Sequence, residues 1–567
     1  MIEYAPDLLE KYLRDSLNTT DDMLKVWETN KYSIDESITN KFFKEIKDAP
    51  AIAFVGDYDV DGTFATYIGS KGSKETFPDK KQYLRIPRRF SEGYGINPII
   101  ADEIKEKLPK GSVVITVDNG ISAAEVLENL ERDGYKVICT DHHELKEGAH
   151  IPNVTMVIDP AVPGCDAGFG FKKWCGAAVI YKLFEPMISE KLATELETFA
   201  GIATIADCME LTEGNWGIVR HSIDNFKQGK EPASLEAMAV AMKQDPKFVD
   251  EGTYGFYLGP CCNAAGRLLD GGPNLVLKYL FAPTEEKLTQ LIELNNTRKQ
   301  LRDEEYDLVK AEIERTHADK DCPIWVKVDG LHEGIVGILA GKVAEDYGVP
   351  AIVLTNAKDE GIIKGSARSV EGINIFKYLS EMNDLFKSMG GHEGAAGLSL
   401  PEVNFEKAKA HQIKRTNIKS KEIISEPIHI KPNDIPEIND ILVKFKPFGE
   451  GNPAPIFDLD FNMKDGGKMI GKEHNHLVLE PDDRSYKVVH WFHEPNELKN
   501  SEIFGMEGKI SGSAFNGIET PTFSADKVYD IVRNRRASNK AGGMDGIKTG
   551  IEERNGEISE ELDINSR

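Results

Sequence analysis

Four short apolar runs mark the first third of the chain: "AIAFVG" at 51–56, "SVVITV" at 112–117, "KVICT" at 136–140 and "VTMVI" at 154–158. The stretches between them carry helical periodicity, as in "ISAAEVLENLERDG". Apolar strands alternating with helices predict βαβ units around a buried parallel sheet. Each run gives way to a carboxylate: Asp57, Asp118, Asp141 and Asp159. Sites in open α/β sheets form outside the carboxyl ends of the strands. The pattern therefore predicts several acids gathered along one sheet edge.

The same reading extends to the rest of the chain. Residues 1–48 are polar, amphipathic and predicted helical. A long helix is predicted at about 284–318, with Thr284 as N-cap and Glu285 and Glu286 in its first turn. Its partial stripe of Leu288, Leu291, Ile292, Leu308, Val309 and Ile313 suits a connection between two domains. A second α/β block covers about 322–415, with "PIWVKV" and "PAIVLT" as strands and "GIVGILAGKVAEDYG" as the helix between them. Residues 425–535 show many short runs and turn signals, which predicts a small β-barrel. The stretch after about 536 is Gly-rich, charged and poor in large apolar residues, and is predicted disordered. The fold class is α/β multidomain.

Composition narrows the class. A chain of 567 residues implies roughly three to four domains. Apolar (40%) and charged (29%) fractions are those of globular protein. No apolar run approaches the ~18 residues of a spanning helix, and "MIEYAPDLLEKYL" lacks a signal-peptide core. Seven cysteines without a CxxC pair point to a reducing compartment, so cytoplasmic localisation is expected. A net charge of −25 argues against whole-surface attraction to nucleic acid. It leaves room for a local basic groove, and carboxylates gathered on a metal would contribute to it.

The stretch "GDYDVDGT" at 56–63 has three acids at alternate positions, like the start of a calcium loop. Such a loop needs a bidentate Glu at its twelfth position and a preceding helix. Here Ile68 stands there and a strand-like run precedes. A plain solvated turn would leave three acids repelling one another. More donors are available: Asp118 in "TVDNG", Asp141, His142 and His143 in "TDHHE", and Asp207 in "TIADCMEL", taken as another strand end. Mixed carboxylate and imidazole ligands suit Mn²⁺ or Mg²⁺. The set exceeds the needs of one ion. Two ions ~3.5–4 Å apart make a phosphoester hydrolysis site.

At this point the sequence resembles the DHH phosphoesterase superfamily with its DHHA1 domain, and within it the RecJ-type single-strand-specific exonucleases. The matching motifs are "DYDVDG", "TVDNGIS", "TDHHE", "ATIADCMEL", "IPRRFSEGYGI", "NAAGRL", "NNTRKQ", "HEGIVGILAGKVAEDYGVPAIVL", "KGSARS", "GGHEGAAG" and "PFGEGNPAPIF". They run in family order across roughly residues 50–530. The resemblance implies an N-terminal helical segment (1–48), a DHH catalytic domain (49–282), a connecting helix (283–320), a DHHA1 domain (321–420) and an OB-type domain (421–535), before the tail at 536–567.

It also implies 5′-to-3′ digestion of single-stranded DNA with two Mn²⁺ or Mg²⁺ ions. The implied ligands are Asp59, Asp61, Asp118, His142 and Asp207, with Asp118 bridging. Asp57 and His143 act as ligands or close supporters, and Asp141 orients an imidazole. Ser366 and Arg368 are expected to capture the 5′-phosphate, with Arg267 and Arg89 beside them. Asn263 and Gly391 lie in the same DNA-binding motifs. His392 is expected at the scissile phosphate. Lys444, Lys446, Phe448, Lys472 and Trp491 are candidates for a single-strand track, against the plainer reading of barrel core and surface lysines. Expected partners are single-stranded DNA and a single-strand-binding protein or helicase, with no membrane and a monomeric state. The competing readings are a phosphodiesterase for short RNA or cyclic dinucleotides and a noncatalytic replication scaffold.

Overall fold

The structure, a computed structural model, describes residues 2–145, 148–414, 427–462, 467–470, 476–491, 503–515 and 518–530. Lys472 and the tail beyond 536 lie outside them.

The first sheet is parallel throughout, in the order Lys81–Arg85, Ala51–Val55, Val113–Val117, Lys136–Thr140, Met156–Ile158. Side chains alternate between its faces. Ile52, Phe54, Val113, Ile115 and Ile138 enter one core, and Ala53, Val55, Val114, Val137 and Cys139 enter the other. Helices Val60–Thr76, Gly176–Phe184 and Glu190–Ala206 cover the first face through Phe64, Ile68, Val179, Phe184 and Phe199. Helices Pro98–Lys107 and Ala124–Arg132 cover the second through Ile100, Ile104, Leu127 and Leu130. Burying each such side chain contributes roughly 1.5–3 kcal/mol. The strand Lys81–Arg85 escaped the hydrophobic reading. It lies at the sheet edge and its "KQYLR" is largely polar and half-exposed.

The connecting helix Glu285–Thr316 has 32 residues, about 48 Å at 1.5 Å per residue. The Thr284 hydroxyl accepts the Lys287 N–H at 3.4 Å, as an N-cap should. Leu288 and Leu291 sit in the core of the first domain, and Val309 and Ile313 in that of the second. One helix thus fastens two domains.

The second sheet runs Ser388–His392, Ala395–Pro401, Ile362–Arg368, Ala351–Asn356, Ile324–Lys327. Only its last pair is parallel. The helix Val336–Tyr347 lies where the sequence predicts it. The third sheet, in the region of the predicted barrel, has eight strands among the described residues, with the antiparallel pair Ile503–Phe515 and Ile518–Asp530 at its centre. Its helix Ile435–Phe445 is not part of the barrel reading.

The first 48 residues serve two bodies. Ile2–Glu3 pairs in parallel with Ile428–Ile430 of the third sheet. Leu9, Leu13, Leu17, Leu24 and Trp27 join the barrel core, whereas Phe42, Phe43 and Ile46 join the first domain. Among the described residues no helix is long and apolar enough to cross a membrane. None of the seven cysteines is in a disulfide.

Candidate metal centre and phosphate pocket

The chain leaves the strand Ala51–Val55 and enters the helix Val60–Thr76 within four residues. Asp59 caps that helix, its Oδ1 accepting the Gly62 N–H at 3.1 Å. The next orphan donor, Val60 N–H, goes to Asn263 Oδ1 at 3.0 Å. Asn263, expected on DNA, thus holds the turn that presents Asp59. Asp61 lies two residues further along. Its two oxygens accept the Gly176 and Ala177 N–H groups at 2.6 and 2.7 Å, at the start of the helix Gly176–Phe184. The positive end of that helix favours the carboxylate.

Asp118 follows the strand Val113–Val117 with φ of 62°, a left-handed conformation rare for a residue with a side chain. Its N–H donates to Thr140 O at 3.1 Å, and the Tyr94 hydroxyl donates to its carbonyl at 3.0 Å. Helix Gly176–Phe184 approaches so closely that a Cβ on Gly176 would lie 2.5 Å from Asp118 Cβ. Glycine alone fits there.

Asp141 has its oxygens taken by protein donors. Oδ2 accepts the Ile121 N–H at 2.9 Å, and Oδ1 accepts the His142 N–H at 2.8 Å and lies 2.7 Å from His143 Nδ1. It orients His143 and shapes the turn.

Asp207 is not at a strand end, as the sequence reading has it. It follows the helix Glu190–Ala206 as its C-cap. From Leu196 to Thr204 that helix is buried all round, so its last turns, "AGIATIA", form an unbroken apolar run that resembles a buried strand. Asp159, the fourth strand-end acid, stays outside the cluster. Burial and the charge of Asp141 push it up to about 7, and its Oδ1 accepts the Ala161 N–H at 2.9 Å.

The remaining groups converge. His142 Nε2 lies 3.0 Å from Asp118 Oδ1, 3.5 Å from Asp61 Oδ2 and 3.7 Å from Asp207 Oδ2. Three donor groups have ligand atoms within 4.8 Å of one another: Asp57, Asp59 and Asp118; Asp61, His142 and Asp207; and Asp118, His142 and His143. Asp118 and His142 each belong to two of them. Burial, then repulsion from neighbouring carboxylates, pushes Asp57, Asp118 and Asp207 well above the usual range and raises Asp59. Burial, helped by the charge of His143, pulls His142 down to about 4, which keeps it in the neutral form that ligates metal. Burial works against a charge on His143 too, but Asp141 outweighs it and raises His143 to about 10. Acids crowded in this way are costly without a cation. An all-oxygen and imidazole donor set without thiolate fits Mn²⁺ or Mg²⁺.

Beside the acids lies a group of the opposite charge, and Arg89 acts on both Asp57 and Asp59. Arg368, at the end of the strand Ile362–Arg368, donates from Nη1 to Ser366 Oγ at 2.6 Å. Burial and the charges of Arg89, Arg298 and Arg368 pull Arg267 down to about 9. Burial and Arg89 lower Arg368 as well. Arg89 stacks its guanidinium 4.6 Å from the centroid of Tyr58. Arg298 is an addition to the sequence-predicted set. It sits inside the connecting helix, where Asn295 Oδ1 accepts its Nε–H at 3.2 Å, and "NNTRKQ" was the only signal for it.

Guanidinium groups so placed have the charge and the paired donors that suit an anion such as phosphate. His392 ends the strand Ser388–His392 and is exposed. Although its surface is open to solvent, partial desolvation by its neighbours, then Arg368 and His143, disfavour its charge. Gly391 pairs with Ala396 inside the hairpin. The barrel candidates fit the plainer reading in part. Lys444 pairs with Glu10 at 2.7 Å, Phe448 packs on the barrel core, and Trp491 meets His476 edge-on with centroids 5.3 Å apart.

Three family models match the chain: the N-terminal domain of the DHH family at 51–210, the DHHA1 domain at 323–416 and the RecJ OB domain at 428–527. The single-stranded-DNA-specific exonuclease RecJ of Bacillus subtilis (strain 168) is 31% identical over 81% of this chain and 58% of its own length. The chain therefore spans little more than half of that relative. The exonuclease of the same name from Salmonella typhimurium is 28% identical over 77% of this chain and 80% of its own. Among solved structures, RecJ from Thermus thermophilus in complex with Mn²⁺ superposes with a TM-score of 0.66 at 22% identity, over 87% of this chain and 71% of that one. A structure of exonuclease RecJ bound to manganese gives a TM-score of 0.52 at 25% identity, over 66% of this chain and 92% of that one.

Proposed function

We propose, from the premise that this chain belongs to the DHH–DHHA1 phosphoesterase superfamily in its RecJ-type form, that it is a metal-dependent exonuclease digesting single-stranded DNA from its 5′ end. The observation that carries the reading is the sharing of Asp118 between two donor groups beside a four-arginine pocket. The domains are read as DHH (49–282), connecting helix (283–320), DHHA1 (321–420) and OB-type (421–535), preceded by the helical segment 1–48.

Asp57 and Asp59 would hold one ion, Asp61, His142 and Asp207 the other, and Asp118 both. Bound there, a pair of Mn²⁺ or Mg²⁺ ions supplies a water of lowered pKa and neutralises charge building on the phosphate and leaving oxygen. The chain's own groups do the rest. Asp141 fixes the rotamer and charge of His143 through the 2.7 Å contact. Ser366, Arg368, Arg267 and Arg89 take the terminal phosphate, and Arg298 adds a further positive charge. Fixing that phosphate at one distance from Asp118 limits cleavage to the terminal linkage, so mononucleotides are released. His392, whose neutral form its surroundings favour, supplies a hydrogen bond to the scissile phosphate. The OB-type domain adds a surface for the trailing strand. The protein is read as a cytoplasmic monomer acting in DNA repair or recombination, with a single-strand-binding protein or helicase as partner.

The test is digestion of end-labelled single-stranded DNA with Mn²⁺ and with chelator. Mononucleotides released from the 5′ end only with metal are expected. Equal digestion from the 3′ end, or none from either, refutes the reading.

A further inference from the structure

The loop that follows Asp207 is braced by a segment far away in sequence. Residues 449–452 form a tight turn closed by two backbone bonds: Gly449 N–H to Asn452 O at 2.9 Å and Asn452 N–H to Gly449 O at 3.2 Å. Asn452 is buried, and its Nδ2 donates to Phe445 O at 3.0 Å and Pro447 O at 2.7 Å, locking the turn to the barrel helix Ile435–Phe445. The turn then docks four residues past Asp207. The Leu211 N–H donates to Glu450 O at 2.7 Å. A Cβ on Gly449 would sit 2.8 Å from Leu211 Cδ1, and one on Gly451 would sit 3.1 Å from Glu210 Cβ.

The barrel helix is anchored at the same place. Its final carbonyls, unsatisfied within a helix, are capped from the first domain. Trp216 Nε1 donates to Phe445 O at 3.1 Å, and Arg220 Nη1 donates to Val443 O at 2.7 Å and Lys446 O at 3.0 Å. Phe448 N–H donates to Glu251 Oε1 at 3.2 Å. A chain of direct contacts therefore runs from the barrel helix through the turn to the loop carrying Asp207. Asp207 needs such support. Unlike Asp61, whose oxygens are pinned by a helix N-terminus, Asp207 sits beyond the last turn of its helix.

We propose that the 449–452 turn is a positioning element of the metal centre, holding the 208–211 loop so that the Asp207 carboxylate stays in line with His142 and Asp61. It makes the OB-type domain a structural part of the metal site as well as a surface for DNA. This rests on Asp207 being a metal ligand, as read above.

The test uses the full chain with Asn452→Ala, Gly449→Ala and Asp207→Ala, and reads Mn²⁺ binding by electron paramagnetic resonance in the absence of DNA. Affinity for single-stranded DNA in chelator and the melting temperature of the metal-free protein are followed alongside. Both turn variants are expected to weaken Mn²⁺ binding about 10-fold or more, the scale of removing a group that orients a ligand, while DNA affinity in chelator stays within about 2-fold of the parent. Should Asn452→Ala fail to fold, Gly449→Ala decides alone, because its added methyl presses on the buried Leu211 without removing a hydrogen bond of the turn. Unchanged Mn²⁺ binding in the turn variants overturns the proposal. So does a fall in DNA affinity and Mn²⁺ affinity in equal measure, which marks general disruption. If Asp207→Ala leaves Mn²⁺ binding intact, the ligand assignment falls and the proposal with it. If the parent binds Mn²⁺ but digests no DNA, while the turn variants still weaken the metal, the coupling stands and the exonuclease reading fails.

Discussion

Asp118 is constrained at backbone and side chain alike. Its backbone is left-handed, its carbonyl is held by Tyr94, and its oxygens belong to two donor groups. Such a conformation costs of order 1–3 kcal/mol and persists only where the surroundings enforce it. Asp118→Ala is expected to lower hydrolysis by about 10²–10³-fold or more, the scale of losing a group matched to transition-state charge. Single-stranded DNA affinity in chelator should remain measurable by fluorescence anisotropy. The crowded acids also set a pH dependence. Asp57, Asp118 and Asp207 have raised pKa values, so the folded chain holds protons that the unfolded chain releases. Stability of the metal-free protein then falls as pH rises from the ordinary carboxylate range toward the raised values. Metal needs these groups deprotonated, so its stabilisation grows over the same window. Mn²⁺ at 100 times its dissociation constant adds about 2.7 kcal/mol. The melting-temperature gain on adding Mn²⁺ should be larger at about pH 8 than at about pH 5, and an equal gain at both would refute the assignment.

At the scale of elements, the helix Gly176–Phe184 does two jobs. Its first N–H groups pin Asp61, and its first residue leaves no space for a side chain against Asp118. Gly176→Ala should therefore displace both acids. A loss of Mn²⁺ affinity of about 10–100-fold, the range for disturbed ligand support, is expected by titration calorimetry. The far-ultraviolet circular dichroism spectrum should stay unchanged. The elements also show what the sequence could and could not reveal. The central strands of the first sheet were legible because burial on both faces forces unbroken Val, Ile and Ala runs. The edge strand Lys81–Arg85 has no such requirement and left no signal. The run before Asp207 gave the opposite error, because a helix buried on nearly every side loses its polar stripe. The acids of "DYDVDG" and "TDHHE" were legible because their chemistry is local. The arginine pocket was legible only motif by motif. Arg89, Arg267, Arg298 and Arg368 come from widely separated segments, and only folding brings their charges together.

For the whole molecule, the N-terminal segment is the least expected part. Helix Pro6–Ser16 packs Leu9 and Leu13 into the barrel core, and Ile2–Glu3 extends the barrel sheet. The OB-type domain is thus completed by the first residues, while the following helix Glu36–Asp48 belongs to the domain of the acid cluster. No sequence pattern announces that division, since an amphipathic helix does not declare its partner. Leu13→Ala removes a side chain that is 1% exposed and should destabilise the protein by about 2–5 kcal/mol. The loss is expected in the barrel transition of a urea melt, with Mn²⁺ affinity weakened only if the barrel detaches.

The arginine pocket makes the surrounding electrolyte a partner in folding. Burial, and after it the charges of Arg89, Arg298 and Arg368, bring Arg267 down to about 9, so a multivalent anion bound among them would relieve their mutual repulsion. Sulfate or phosphate would act as a counterweight occupying that space, and chloride would do so poorly. At equal ionic strength, the metal-free protein should melt at a higher temperature in phosphate than in chloride. Replacing Arg298 by Ala should shrink that difference. The choice of buffer salt is then a thermodynamic variable of this molecule even before a nucleic acid is present.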